Sequence, residues 1–115
     1  MLAATRPAAV AGMFYPADAR TLALQVDGLR GAVAPGAAAR VPKLLVVPHA
    51  GYVYSGAVAA QAYALLAPWR GQIVRVVLLG PTHRVAVRGL AAPSVSAFDT
   101  PLGRILREYM DAGDL

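Results

Sequence analysis

The chain contains two histidines, and each of them follows a short apolar run in a turn that contains proline and glycine. His49 lies within the segment 48–52 (PHAGY), and His83 ends the segment 80–83 (GPTH). Imidazole nitrogens that share a metal ion lie about 2 Å from it. We therefore expect a shared metal or catalytic role if the fold brings the two turns together. The alternative is that each histidine makes ordinary hydrogen bonds.

The elements preceding the two histidines have the pattern of a βαβ unit. Residues 43–47 and 73–79 are continuous apolar runs, typical of strands buried on both faces in a parallel sheet. Residues 55–67 between them are rich in helix formers and have Ser55 as a predicted N-cap. This order predicts an α/β fold with a mostly parallel sheet and a right-handed crossover.

The strand pattern also predicts where the histidines lie. Ligands of open parallel sheets gather at the carboxyl ends of the strands, and neighbouring strands lie about 5 Å apart. We therefore expect His49 and His83 at one edge of the sheet. Outside this unit we predict a helix over 18–33, a short strand at 90–92 and a final helix over 104–112. The first of these helices has Asp18 as its cap and an apolar stripe at positions 22, 26, 29 and 33.

Other candidate residues offer weaker signals. The segment 51–56 (GYVYSG) precedes a helix and could place amides against an anion, but it lacks the spacing and the lysine of a P-loop. Tyr52 and Tyr54 could line a binding cavity or simply pack. Ser55 could act as a nucleophile only beside a base, and its role as a helix cap is the favoured interpretation.

Composition limits the class of protein. The chain has 115 residues, enough for one domain, with 57% hydrophobic and 15% charged residues. This imbalance predicts an apolar surface that is covered either by another subunit or by a stretch of chain missing from this sequence. The absence of cysteine excludes disulfides, cysteine-ligated zinc and a thiolate nucleophile within this sequence.

Charge and hydropathy favour a protein without nucleic-acid or membrane partners. The formal net charge is +5, but the basic residues are spread from Arg6 to Arg107 and do not interleave with aromatics. Residues 44–69 carry no charge, yet polar residues, glycine and proline interrupt them too often for a membrane span. No secretory signal is visible near Arg6 and Pro7, so we predict a cytoplasmic protein.

Four segments together resemble one known family. They are residues 48–56 (PHAGYVYSG), 80–83 (GPTH), 11–15 (AGMFY) and 98–103 (FDTPLG). Their order and spacing from Arg6 onward are similar to the Memo family, whose bacterial and archaeal members are called AmmeMemoRadiSam system protein B. The sequence is therefore identified as a Memo-like domain over residues 1–115.

The resemblance implies a fold, a metal and partners. The family's fold is similar to that of the class III extradiol non-haem iron dioxygenases, and its members bind iron or copper through two histidines and one cysteine. By resemblance His49 and His83 take the two histidine positions, and Phe14 and Tyr54 line the cleft. Bacterial members are associated with an AMMECR1-type protein and a radical-SAM protein.

This sequence departs from the family in length and in its lack of cysteine, so we expect an N-terminal portion that lacks the third metal ligand. Three functions remain open. The first is a metal-binding protein with oxidoreductase or dioxygenase-like chemistry. The portion present here is then expected to bind metal weakly and to be inactive. The second is a non-enzymatic module that binds a peptide or anion in the same cleft. The third is a fragment that functions only in an oligomer.

Overall fold

The computed structural model describes residues 4–34 and 40–108. Within these ranges the elements are, in chain order, β1 (Thr5–Arg6), α1 (Ala19–Gly31), α2 (Tyr52–Ala64), a short 3₁₀ turn (Ala67–Trp69), β2 (Ala97–Thr100) and β3 (Gly103–Leu106). The described part of the chain is therefore α/β, with two helices and a mixed three-stranded sheet.

The helix predicted over 18–33 is confirmed as α1. Asp18 is its N-cap, and the carboxylate accepts hydrogen bonds from the Thr21 amide and the Thr21 hydroxyl, both at 2.8 Å. This satisfies one of the amide groups that a helix leaves unpaired at its start. Of the apolar stripe, Leu22 is the most buried residue at 4% exposure, and Val26 and Leu29 are half-buried.

The helix predicted over 55–67 is confirmed as α2, but it begins earlier than expected and Ser55 is not its cap. The N-cap is Gly51, which has no side chain to accept a hydrogen bond. Instead the backbone carbonyl of Phe14 accepts the Tyr52 amide at 2.8 Å. A loop distant in sequence thus satisfies the amide that a local side chain would otherwise pair with.

The two helices pack closely at one point. A Cβ atom added to Gly56 of α2 would lie 3.1 Å from Leu29 Cδ1 of α1 and 3.4 Å from Tyr52 Cβ. Gly56 is buried, so a larger residue would have to displace the Leu29 side chain. The absence of a side chain at Gly56 therefore sets how closely α1 approaches α2.

The sheet differs from the mostly parallel sheet that we predicted. Its order is β1-β2-β3, with β1 parallel to β2 and β2 antiparallel to β3. Ala97, opposite Thr5 of β1, is only 2% exposed. The pairing joins the start of the described chain to its last strands, a long-range contact that local sequence patterns do not encode.

The final helix predicted over 104–112 is wrong where the structure describes it, because Gly103–Leu106 is strand β3; residues 109–112 lie outside the described residues. Gly103 has a φ of +135°, which favours glycine, and it follows a two-residue turn at 101–102. The Thr100 hydroxyl donates to the Gly103 carbonyl at 2.8 Å. The Arg104 guanidinium bonds the Asp99 carboxylate at 2.7 Å, which lowers the pKa of Asp99. These bonds favour the hairpin over a helix.

The strands predicted at 43–47, 73–79 and 90–92 are also wrong, since none of these segments is a strand in the described structure. Their apolar side chains are largely exposed, with Val46 at 87% and Val74 at 92%. A strand of this composition needs hydrogen-bonded neighbours and cover on both faces. In the described part of the chain these runs have neither hydrogen-bonded neighbours nor cover on both faces. The predicted βαβ sheet therefore does not form there.

Few hydrophobic residues are buried in the described part of the chain. The buried hydrophobic residues among them are Leu22, Ala60 and Ala97, whereas many large apolar side chains are exposed. No helix in the described ranges has both the length and the hydropathy needed to cross a membrane.

Candidate metal centre

The two histidines lie side by side although the strands expected to position them are absent. His49 Nε2 and His83 Nε2 are 3.1 Å apart, and the ring centroids are separated by 5.3 Å at a tilt of 44°. Without a metal, this distance allows a hydrogen bond in which one neutral imidazole donates to the other. The structure thus brings together the two residues that the sequence singled out.

The separation of the two nitrogens fits the dimensions of a shared metal site. Two bonds of about 2.05 Å to a common metal, with nitrogens 3.1 Å apart, correspond to an angle of about 98° at the metal. This lies between the ideal square-planar and tetrahedral angles, so His49 and His83 fit two positions of one coordination sphere. Among the described residues no group of three or more His, Cys, Asp or Glu side chains could hold a metal.

His49 is held by the turn that leads into α2. The Ser55 hydroxyl donates to the Ala50 carbonyl at 3.1 Å, and the Ser55 amide donates to the Gly51 carbonyl at 3.1 Å. Ser55 is a buried polar residue. Its hydroxyl therefore fixes the backbone immediately after His49, a positioning role in place of the capping role that we predicted.

His83 is anchored less firmly. It lies in an exposed segment that follows the apolar run 73–79. One ion pair links this run to the segment after β3: Arg75 Nε lies 2.7 Å from Glu108 Oε2. Both side chains are more than 60% exposed. Exposed ion pairs contribute little to stability. This ion pair therefore contributes little to holding the segment that carries His83.

A cavity of about 720 Å³ opens beside the two imidazoles. We call it the histidine cavity. Its wall comes from the loop before α1, one face of each helix and the two apolar runs. It includes Val10, Phe14, Tyr15, Val26, Leu29, Arg30, Val47, His49, Tyr52, Tyr63, Leu78, Leu79 and His83. Most of these side chains are apolar, a composition typical of small-molecule sites.

Of Phe14 and Tyr54, the two residues predicted to line the cleft, only one lies in the wall of the histidine cavity. Phe14 is part of the wall of the histidine cavity. Tyr54 is 84% exposed and lies outside that wall. Their roles in the family's cleft stay predictions.

Three residues of the cavity wall were not predicted from the sequence as site residues: Tyr15, Tyr63 and Arg30. Positions 52, 56, 59 and 63 share one face of α2, and this spacing would have placed Tyr63 beside Tyr52. The rings of Tyr15 and Tyr52 are 5.6 Å apart. Burial raises the pKa of Tyr52, and the nearby hydroxyls of Tyr15 and Tyr63 raise it further.

Comparison with known proteins identifies the class of protein that these residues define. The family model described as "Memo-like protein" matches residues 6–110. The chain belongs to the Memo-like family. The matched range includes both histidines and the loop that carries Phe14.

Similar proteins occur in archaea, bacteria and animals. The chain is 40% identical over 107 residues to a MEMO1 family protein of Pyrobaculum arsenaticum, covering 87% of this chain and 37% of the relative. It is 36% identical over 110 residues to Protein MEMO1 of Xenopus tropicalis, covering 96% of this chain and 36% of the relative. A MEMO1 family protein of Aquifex aeolicus is 41% identical over 99 residues, covering 85% of this chain and 34% of that protein.

The chain thus spans little more than a third of the length of the curated relatives it matches. No solved structure matches it significantly.

Proposed function

We propose that this Memo-like chain binds a redox metal, iron or copper, through the Nε2 atoms of His49 and His83. The observation that carries the proposal is the 3.1 Å separation of these two nitrogens at the edge of the histidine cavity. Imidazole is a ligand that suits iron, copper and zinc. In this proposal a full-length Memo-like domain has a dioxygenase-like α/β fold, and the present chain provides two of its metal ligands.

The residues of this chain have distinct tasks in the proposed site. Neutral imidazoles of His49 and His83 hold the metal, which supplies redox or Lewis-acid chemistry when it is bound. Ser55 fixes the turn that follows His49 through its bond to the Ala50 carbonyl. The apolar wall of the cavity offers a surface on which the apolar part of a substrate can pack beside the imidazoles.

A second candidate function is non-enzymatic binding of an anion in the same cavity. The wall contains imidazole, phenol and guanidinium groups, and within the described residues it contains no carboxylate. Such a wall offers hydrogen-bond donors and no competing negative charge. This candidate does not need a metal.

Metal titration tests the proposal. The chain is first freed of metal with a chelator and then titrated with Cu²⁺ and, without oxygen, with Fe²⁺, by calorimetry. We expect one metal per chain. Both His49→Ala and His83→Ala should weaken binding at least about tenfold, because a single imidazole cannot chelate.

Thr82→Ala is the matched control, since Thr82 is exposed, adjoins His83 and lies outside the cavity wall. It should bind metal as the parent chain does. The proposal fails if either histidine variant keeps the affinity of the Thr82 control. It also fails if the parent chain takes up no metal.

A further inference from the structure

The histidine cavity contains polar groups that the proposed metal site does not use. Tyr15, Tyr52 and Tyr63 come from the loop before α1 and from the two ends of α2, and all three line the cavity. Arg30, in the last turn of α1, lines it as well. Three phenols and one guanidinium, from three different parts of the fold, therefore line one predominantly apolar cavity.

Tyr15 and Tyr52 contact each other through their rings, but the three hydroxyls and the guanidinium have no polar partner in the described chain. Among the described residues, the hydroxyls of Tyr15, Tyr52 and Tyr63 make no hydrogen bond, and Arg30 forms no ion pair. Tyr15 and Tyr52 are half-buried and Tyr63 is 50% exposed, so a ligand from solution can reach this group of tyrosines. Burial and the neighbouring tyrosines disfavour the ionised form of Tyr52 and raise its pKa, so its hydroxyl stays a proton donor.

The charged and hydrogen-bonding groups of the cavity wall favour an anionic ligand. Arg30 is positively charged, the imidazoles and phenols donate hydrogen bonds, and the described part of the wall has no Asp or Glu. A ligand carboxylate accepts several such bonds at once, and charge-assisted bonds are about twice as strong as neutral ones. A ligand amine would find no acceptor carboxylate here.

We propose that the histidine cavity binds a small organic acid, with its carboxylate at Arg30 and the tyrosine hydroxyls and its apolar body against the aliphatic wall. The volume of about 720 Å³ is within the range of small-molecule sites. This inference deepens the proposed function by naming the ligand class of the same cavity, and its biological meaning rests on that function. Its test uses no metal, so either proposal can fail alone.

Binding of a paired probe tests this inference. The metal-free 115-residue chain is titrated by calorimetry at neutral pH with 2-naphthoate, and separately with 2-naphthalenemethanol. The two probes share one apolar body and differ in the carboxylate. We expect naphthoate to bind at least about tenfold more tightly, the factor expected for a hydrogen bond to a charged group.

Substitutions then test which side chains cause the preference for the carboxylate probe. Arg30→Gln should remove most of the tenfold difference between the probes, and Tyr52→Phe should weaken naphthoate about threefold or more while sparing the alcohol. Arg20→Gln on α1, outside the cavity wall, is the matched control and should change neither affinity. Circular dichroism verifies that each variant is folded.

Two results would overturn the inference. One is equal affinity of the parent chain for both probes, including the absence of binding by either. The other is a naphthoate preference that survives Arg30→Gln and Tyr52→Phe together, which would place the acid elsewhere on the surface. Metal uptake by His49 and His83 is measured independently and does not bear on either result.

Discussion

The backbone carbonyl of Phe14 accepts a hydrogen bond from the backbone amide of Tyr52 at 2.8 Å. This bond ties the loop at 11–15 to the first residue of α2, and so to the turn that carries His49. Two segments that the sequence analysis singled out separately are thereby parts of one structure. The ring contact between Tyr15 and Tyr52, at 5.6 Å, strengthens the same junction.

Removal of metal should leave the fold intact. The two imidazoles belong to a turn and an exposed segment, and the described residues offer no third ligand group. We expect bound Cu²⁺ or Fe²⁺ to be lost on dialysis against a chelator, because two imidazoles make an incomplete site. Metal analysis and circular dichroism before and after dialysis check this. Tight binding that persists would mean that a further donor completes the site.

The apolar run 73–79 should drive self-association. Val74 and Val76 are 92% and 76% exposed, and exposed apolar patches of several hundred Å² usually mark an interface. We expect dimers or larger species, shifted towards monomer by Val74→Lys with Val76→Lys, as measured by analytical ultracentrifugation. The pair Leu24→Lys with Val58→Lys, on exposed helix positions, is the control. A parent chain that stays monomeric at high concentration would contradict the prediction.

The cap of α1 should make stability depend on acidity. Hydrogen bonds from Thr21, first the backbone amide and then the hydroxyl, lower the pKa of Asp18 below its ordinary value of 3.8. The stabilisation is therefore present above pH 3.8 and is lost as the pH falls through the lower value in the folded chain.

Asp18→Asn isolates this effect, because asparagine caps a helix about as well as aspartate and does not titrate. Urea unfolding should give similar free energies for parent and variant at neutral pH. The free energy of unfolding of the parent, measured relative to that of the variant, should decrease in acid. A parent chain whose stability relative to the variant does not change between neutral and acid pH would refute the role of the Asp18 charge.

A larger residue at Gly56 should separate the two helices. The added Cβ would meet Leu29 Cδ1 at 3.1 Å, and overpacking of this kind costs about 1–3 kcal/mol. We expect Gly56→Val to lower the free energy of unfolding by that amount. Gly28→Val is the control, since nothing lies within 4 Å of a Cβ at Gly28. Equal effects of the two substitutions would argue against close packing of α1 and α2.

The hairpin of β2 and β3 should depend on Gly103. Its φ of +135° is strained for any residue with a side chain, at a cost of about 1–3 kcal/mol. Gly103→Ala should therefore destabilise the chain and speed hydrogen exchange at the amides of β3. The same change at Gly28, inside the C-terminal part of α1, should stabilise by up to about 0.5–1 kcal/mol, because alanine favours helix. A stabilising Gly103→Ala would mean that this turn does not form.

The sequence by itself determined α1, the body of α2 and the family. The α1 stripe at positions 22, 26 and 29 and the cap at Asp18 are local signals, because helix periodicity and capping involve residues only three or four apart. The four segments that resemble the Memo family are also contiguous stretches of sequence. Each of these features is encoded within about one helical turn or one short motif.

Tertiary structure decided the sheet and the site. Residues 103–106 form a strand because they pair with β2, although their local pattern favoured a helix. The apolar runs 43–47 and 73–79 have the composition of strands, but pairing depends on neighbours that the described residues do not provide. The 3.1 Å contact of His49 and His83, 34 residues apart, and the gathering of three tyrosines in one cavity arise from contacts between distant elements. No local periodicity specifies such contacts, because they depend on how the elements pack in three dimensions.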